Sequence, residues 1–122
     1  MLSLLFVLNT AHAEIAVASK KLYACEAIVV AKDISSAEYK FDVPAEGTGS
    51  HGGEPIEYKV GKHRVVFIAN AKWQGINWFY NDAIVTEAVL ARSDASTGYQ
   101  TMITYNPKDE DEQVSLTCSP KP

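Results

Sequence analysis

Apolar and polar residues alternate with a period of two along much of this chain. In the 38–43 segment, Tyr39, Phe41 and Val43 fall on one side of an extended chain, and charged residues fall on the other. The 56–60 segment repeats the same arrangement. This alternation is typical of antiparallel strands that have one buried face and one solvated face.

Strand character continues through segments 23–30, 63–71, 99–105 and 113–118. Segment 83–92 is apolar on both faces, which predicts a central strand or one covered on both sides; its β-branched residues favour a strand over the competing interpretation, a helix. Gly61 and Lys62 predict a two-residue turn, because glycine supplies the positive φ that such turns need. We therefore predict an all-β fold, a small antiparallel β-sandwich or flattened β-barrel of about six to eight strands.

Two cysteines stand near the two ends of this pattern. Cys25 lies in the first strand segment and Cys118 in the last, and each shares a face with apolar neighbours. Both side chains should therefore point into the core, which predicts a disulfide that links the first and last strands. Two cysteines are too few for a structural zinc site.

The first residues resemble a secretory signal. Residues 2–8 are apolar, and Ala11-His12-Ala13 has the small residues that a signal peptidase cleaves after, although no basic residue precedes Lys20. We predict a signal segment over 1–13 and a single β domain over 14–122, exported to the periplasm or the extracellular space. A buried N-terminal strand is the alternative for 1–13.

Charge and motifs exclude several function classes. The chain has 11 basic and 15 acidic residues and a formal net charge of −4, which argues against nucleic acid as a partner. No other apolar run reaches the roughly 20 residues of a membrane span. The glycines at 47, 49 and 52 lie between strands without a following helix, so they do not form a dinucleotide site. We predict no cofactor and no metal.

Three irregular or aromatic segments are the candidate binding surface. They are the glycine-rich stretch 44–55, the aromatic stretch 72–82 and the turn 93–99. Aromatic side chains bring a large contact area at low entropic cost, which suits recognition. Trp78 is favoured as a core residue, whereas the ring of Trp73 is expected to be exposed. The predicted residues for binding a partner or ligand are Trp73, Trp78, Tyr80, His51, Ser96 and Tyr99.

The turn 93–99, Ser-Asp-Ala-Ser-Thr-Gly-Tyr, resembles the Ser/Ala/Gly/Tyr loop of periplasmic lysozyme inhibitors of the membrane-bound and C-type inhibitor family. The resemblance covers seven residues with a different spacing, and the arginine that the family places between Gly and Tyr is missing. It implies a small disulfide-bearing β-barrel that plugs a lysozyme cleft.

The sequence favours an exported, non-enzymatic domain that binds a protein or a small ligand. A small hydrolase is the catalytic alternative, because Glu26 and Glu87 are the only acids inside apolar strand segments. His63, at the start of its strand, is expected at the surface. The oligomeric state stays open.

Overall fold

The computed structural model describes residues 21–46, 55–92 and 98–122, and within these ranges it contains strands and turns but no helix. The all-β prediction is confirmed, and the described residues form eight strands. In chain order the strands are β1 Leu22–Ala31, β2 Ser35–Pro44, β3 Ile56–Val60, β4 His63–Ala69, β5 Trp73–Tyr80, β6 Ala83–Ala91, β7 Gln100–Asn106 and β8 Asp109–Pro120.

The strands form two four-stranded antiparallel sheets, in the orders β2-β1-β8-β7 and β3-β4-β5-β6. Strands that follow one another in the chain are paired, except where the chain crosses between sheets after β2 and after β6. Because β1 also pairs with β8, the first and last strands lie side by side. The result is a sandwich with the strand order of a flattened up-and-down barrel, open between β2 and β3 and between β6 and β7.

The core lies between the two sheets and follows the predicted alternation. Every second residue of β1 and of β4 is buried. The largest side chains that are fully enclosed include Trp78, Phe67, Ile76 and Leu116. Apolar burial of this kind is the main stabilising contribution to folding.

The predicted disulfide is confirmed. Cys25 and Cys118 are directly opposite each other in the β1–β8 ladder, and their sulfurs are bonded across a Cα–Cα distance of 4.1 Å. Both residues are buried. The bond therefore joins the first and last strands through the core face of one sheet.

Four of the five hairpin turns in the described structure, those after β1, β3, β5 and β7, lie at one end of the sandwich, called here the turn end; the β4–β5 turn lies at the other end. The predicted Gly61-Lys62 turn is present, and Gly61 has a φ of +58°. Asn81 and Asp82 have φ values of 51° and 67°, as in the two-residue turns that match strand twist. The Asn81 amide donates to the Lys62 carbonyl at 2.9 Å, which ties two of the turns together.

Strand β6 differs from its prediction. It is a strand, as preferred over a helix, but it lies at the edge of its sheet and not at the centre. Ile84 and Val89 are 55% and 60% exposed. An apolar pattern on both faces does not distinguish a strand covered twice from an edge strand with an apolar outer face.

The predicted signal segment, 1–13, lies outside the described residues. Within the described part of the chain, no helix has the length and apolarity needed to cross a membrane.

Candidate functional site

A pocket of about 450 Å³ opens at the turn end, next to the opening between β6 and β7. Its wall is largely apolar and comes from the ends of β5 and β6 and from the turn after β7. Charged groups, one histidine, Tyr80 and Asn106 complete the lining. The apolar lining residues are Trp78, Ala83, Ile84, Val85 and Pro107, and the charged and histidine residues are Lys32, Asp33, His63, Lys108 and Glu112.

A chain of hydrogen bonds runs through the wall of this pocket. The Trp78 Nε1–H donates to His63 Nδ1 at 3.0 Å, and His63 Nε2 lies 2.8 Å from Asp33 Oδ1. Because Nδ1 accepts a hydrogen bond, the ring proton is on Nε2, which donates to the carboxylate. Trp78 and His63 are buried, so both rings are fixed in position by packing and hydrogen bonds together.

The surface prediction for His63 is wrong. His63 shares its strand face with Val65 and Phe67, and it is only 3% exposed. A buried imidazole is tolerated when both nitrogens have partners, and Trp78 and Asp33 supply them. The period of two in β4 was the signal for this burial.

Asp33 owes its position to the β1–β2 turn. The Ile34 amide donates to the Ala31 carbonyl at 3.2 Å, and Ser35 follows with a φ of 68°. This turn brings the Asp33 carboxylate over the start of β4. The hydrogen bond from His63 holds the pKa of Asp33 below its ordinary value of 3.8, against a smaller opposing effect of desolvation. Asp33 is therefore ionised at neutral pH.

The remaining charges at the pocket belong to a second network. Glu112 accepts hydrogen bonds from the Lys32 amide at 2.8 Å and from the Asn106 side-chain amide at 2.9 Å. The Lys32 ammonium pairs with Asp109 at 2.7 Å, and this hydrogen bond raises the pKa of Lys32 and lowers that of Asp109. Both carboxylates of the lining, Asp33 and Glu112, are thus held by hydrogen bonds.

Two of the six predicted binding residues meet at this pocket. Trp78 is fully buried, in line with its favoured assignment to the core, and one edge of it reaches the lining. Tyr80 is 38% exposed, and its ring packs against that of His63 with the centroids 4.8 Å apart. Both side chains come from the same face of β5.

Trp73 and Tyr99, the two other predicted residues that the structure describes, are not among the residues that line this pocket. Trp73 is half-buried at the opposite end of β5, roughly 17 Å from Trp78 at about 3.3 Å per residue. Tyr99 is 75% exposed just before β7. His51 and Ser96 lie outside the described residues, as does most of the 93–99 turn that resembles the inhibitor loop.

Glu26 and Glu87 do not share a cleft. Glu26 points outward from β1 and lies 3.6 Å from Lys40 on the neighbouring strand. Glu87 is exposed on β6 of the other sheet, opposite Asn77. The hydrolase alternative relied on paired carboxylates, and these two are on different sheets.

A buried arginine organises the opposite end of the sandwich. Arg92 is 9% exposed and donates to the Gln74 side-chain oxygen, to the Cys118 carbonyl at 3.2 Å and to the Gly98 carbonyl at 3.0 Å. Its guanidinium also lies 4.8 Å from the centre of the Tyr23 ring. These contacts connect both sheets, so Arg92 has a structural role.

Most of the exposed large hydrophobic residues belong to β6 and β7, the two strands beside the opening between the sheets. The large hydrophobic residues that are exposed are Tyr80, Ile84, Val89, Leu90, Tyr99, Ile103 and Tyr105. By contrast, the exposed outer positions of β2 and β3 include Glu38, Lys40, Glu57 and Lys59. Two of these exposed hydrophobic residues, Tyr80 and Ile84, also line the pocket.

Among the described residues, no group of three or more His, Cys, Asp or Glu side chains is arranged to hold a metal ion. No protein-family model, curated protein or solved structure matches this chain.

Proposed function

We propose that this protein is an exported, non-enzymatic binding module that takes a small molecule with an apolar body into the pocket at the turn end. One observation carries the proposal: a pocket of about 450 Å³ has apolar walls and a few polar groups in fixed positions. Ligand sites in proteins are concave and mostly apolar, with volumes of about 300–1,000 Å³ and a small number of placed polar groups.

The pocket is also organised before any ligand arrives. His63 and Trp78 are buried and hydrogen-bonded to each other, and Asp33 is held by His63. A ligand that enters therefore does not have to order these side chains. Rigid sites bind more tightly because less conformational entropy is lost on binding.

The disulfide supports the proposed export. Disulfides form and persist in oxidising compartments and are rare in the cytosol. Mass spectrometry of the secreted protein, with and without reductant, tests export and the disulfide together. Cleavage after Ala13 and a mass gain of two hydrogens on reduction are expected. A product that stays in the cytosol with its first residues intact would contradict export.

Binding is tested by blocking the pocket from a position that can carry a large side chain. Ala83 lines the pocket but is exposed, so Ala83→Trp should narrow the pocket without disturbing the core. Ala91, at the far end of the same strand, is equally exposed, and Ala91→Trp is the matched control.

Indole is a suitable first probe, because it is neutral and its aromatic ring suits the apolar walls. Isothermal titration calorimetry should detect indole binding to the wild type and to Ala91→Trp, with at least a tenfold weaker affinity in Ala83→Trp. Equal binding to all three proteins, or none to the wild type, would contradict the proposal.

A further inference from the structure

We infer that the pocket selects small organic cations, namely primary amines attached to an apolar body, with the Asp33 carboxylate as their counter-ion. The inference rests on the proposed function and adds the charge of the ligand to it. It follows from a difference between the acidic and the basic groups of the lining. The two carboxylates, of which Asp33 is 40% exposed, are held by hydrogen bonds from the wall, whereas the Lys32 ammonium is compensated by Asp109 and Lys108 is exposed in a turn.

The carboxylates are fixed by partners that belong to the wall itself. Asp33 accepts from the buried His63 at 2.8 Å, and Glu112 accepts from the Lys32 backbone amide and from Asn106. An ionised carboxylate has about four lone-pair sites, so the single bond from His63 leaves Asp33 able to accept from an ammonium group. A charged group that is already held in position loses little conformational entropy when a ligand binds to it.

The lysines do not provide an equivalent positive centre. The Lys32 ammonium is 2.7 Å from Asp109, which compensates its charge, and its side chain is 68% exposed. Lys108 is exposed in the β7–β8 turn. Long exposed side chains of this kind lose rotamer freedom when they bind, which weakens their contribution. The fixed charge of the pocket is therefore negative.

The aromatic surroundings of Asp33 favour the same ligand. The Tyr80 ring packs on His63, which holds Asp33, and Trp78 is bonded to the other side of that histidine. Cations are attracted to the faces of aromatic rings within about 6 Å, and the Tyr80 ring, which is 38% exposed, is the one that a ligand can reach. The apolar body of an amine would then lie against Ile84 and Val85. Charge, aromatic rings and apolar wall thus match one class of molecule.

Three probes with the same ring separate charge from shape. Tryptamine is a cation at pH 7, indole is neutral, and indole-3-propionate is an anion. Calorimetry on the wild type should show tryptamine binding at least tenfold more tightly than indole-3-propionate, with indole between them. Asp33→Asn should remove most of the preference for tryptamine and leave indole binding unchanged.

Asp42→Asn is the matched control, because Asp42 pairs with Lys121 on the far part of β2 and is not in the lining. This variant should keep the full preference for tryptamine. A second measurement uses the wild type alone. Raising the salt concentration from about 0.02 to about 0.5 M should weaken the affinity for tryptamine and leave the affinity for indole unchanged, because salt screens the attraction between charges.

The outcomes distinguish the two proposals. If indole binds and indole-3-propionate binds as tightly as tryptamine, the charge inference is overturned and the proposed function stands. If tryptamine keeps its advantage in Asp33→Asn, the assignment of Asp33 is overturned. If none of the three probes binds the wild type, the proposed function fails as well.

Discussion

Removing the bond between Cys25 and Cys118 should destabilise the protein more than any other change of comparable size. The bond spans 93 residues of sequence. In the chain-entropy model, closing a loop of that length lowers the entropy of the unfolded chain and stabilises the fold by about 4.6 kcal/mol at 25 °C. Since domains of this size are stable by about 5–15 kcal/mol, the loss would leave little stability.

The double variant Cys25→Ala/Cys118→Ala tests this magnitude. Both sulfurs are buried, so alanine keeps the site apolar and adds only a small loss of packing. Urea unfolding followed by far-UV circular dichroism should show a free energy of unfolding lower by about 4–5 kcal/mol. The dependence on urea should also steepen, because the unfolded chain without its cross-link exposes more surface.

A control pair in the same sheet separates the covalent bond from ordinary cross-strand contacts. Thr101 and Thr117 are directly opposite each other in β7 and β8, and their hydroxyls are 2.8 Å apart. The double variant Thr101→Ala/Thr117→Ala should cost at most about 1 kcal/mol, as expected for an exposed pair. If the cysteine variant lost no more free energy of unfolding than this control, the explanation that the disulfide acts by restricting the unfolded chain would be refuted.

Two further predictions concern single side chains. The hydrogen bond from His63 lowers the folded-state pKa of Asp33 below 3.8, so the carboxylate stabilises the fold above that pH and loses this contribution as the pH falls through the folded pKa. In urea unfolding, the stability difference between wild type and Asp33→Asn should therefore be constant near neutrality and shrink below about pH 4. A difference that grows in acid would contradict the hydrogen bond between His63 and the Asp33 carboxylate. Arg92→Met should lower the free energy of unfolding by about 2–4 kcal/mol in the same assay, because it leaves the Gln74 oxygen and two carbonyls without their charged donor. Arg64→Met removes a 3.5 Å pair with Glu57 and a contact with the Phe79 ring, both near the surface, and should cost at most about 1 kcal/mol. Equal losses in the two variants would contradict the structural role of the buried Arg92.

The strand faces were predictable because they depend on local alternation. Val65 and Phe67 in β4, like Val114 and Leu116 in β8, lie inward as a period of two requires. The disulfide followed from the same alternation, since Cys25 and Cys118 occupy inward positions at the two ends of the domain. A local pattern suffices wherever one face is apolar and the other polar.

The pocket was not predictable in the same way. Asp33 and His63 are 30 residues apart, and they meet only because the β1–β2 and β3–β4 turns lie at the same end of the sandwich. That proximity depends on the topology of the fold, and neither the residues around Asp33 nor those around His63 have a local pattern that predicts it. The surface prediction for His63 rests on its place at the start of a strand, whereas its position in the alternation indicates the core. The edge position of β6 likewise depends on which strands pair, not on its own residues.

The fold separates the groups that stabilise it from the groups that line its pocket. Cys25 lies six residues before Ala31, the end of β1, which is roughly 20 Å at about 3.3 Å per residue, and Asp33 lies beyond that end in the β1–β2 turn. The disulfide and the Arg92 contacts therefore act far from the turn end, where Asp33, His63 and Tyr80 lie. Substitutions at such distances contribute to stability almost independently. Loss of ligand binding in a pocket variant that unfolds like the wild type would consequently report on the pocket itself, and not on a loosened disulfide end.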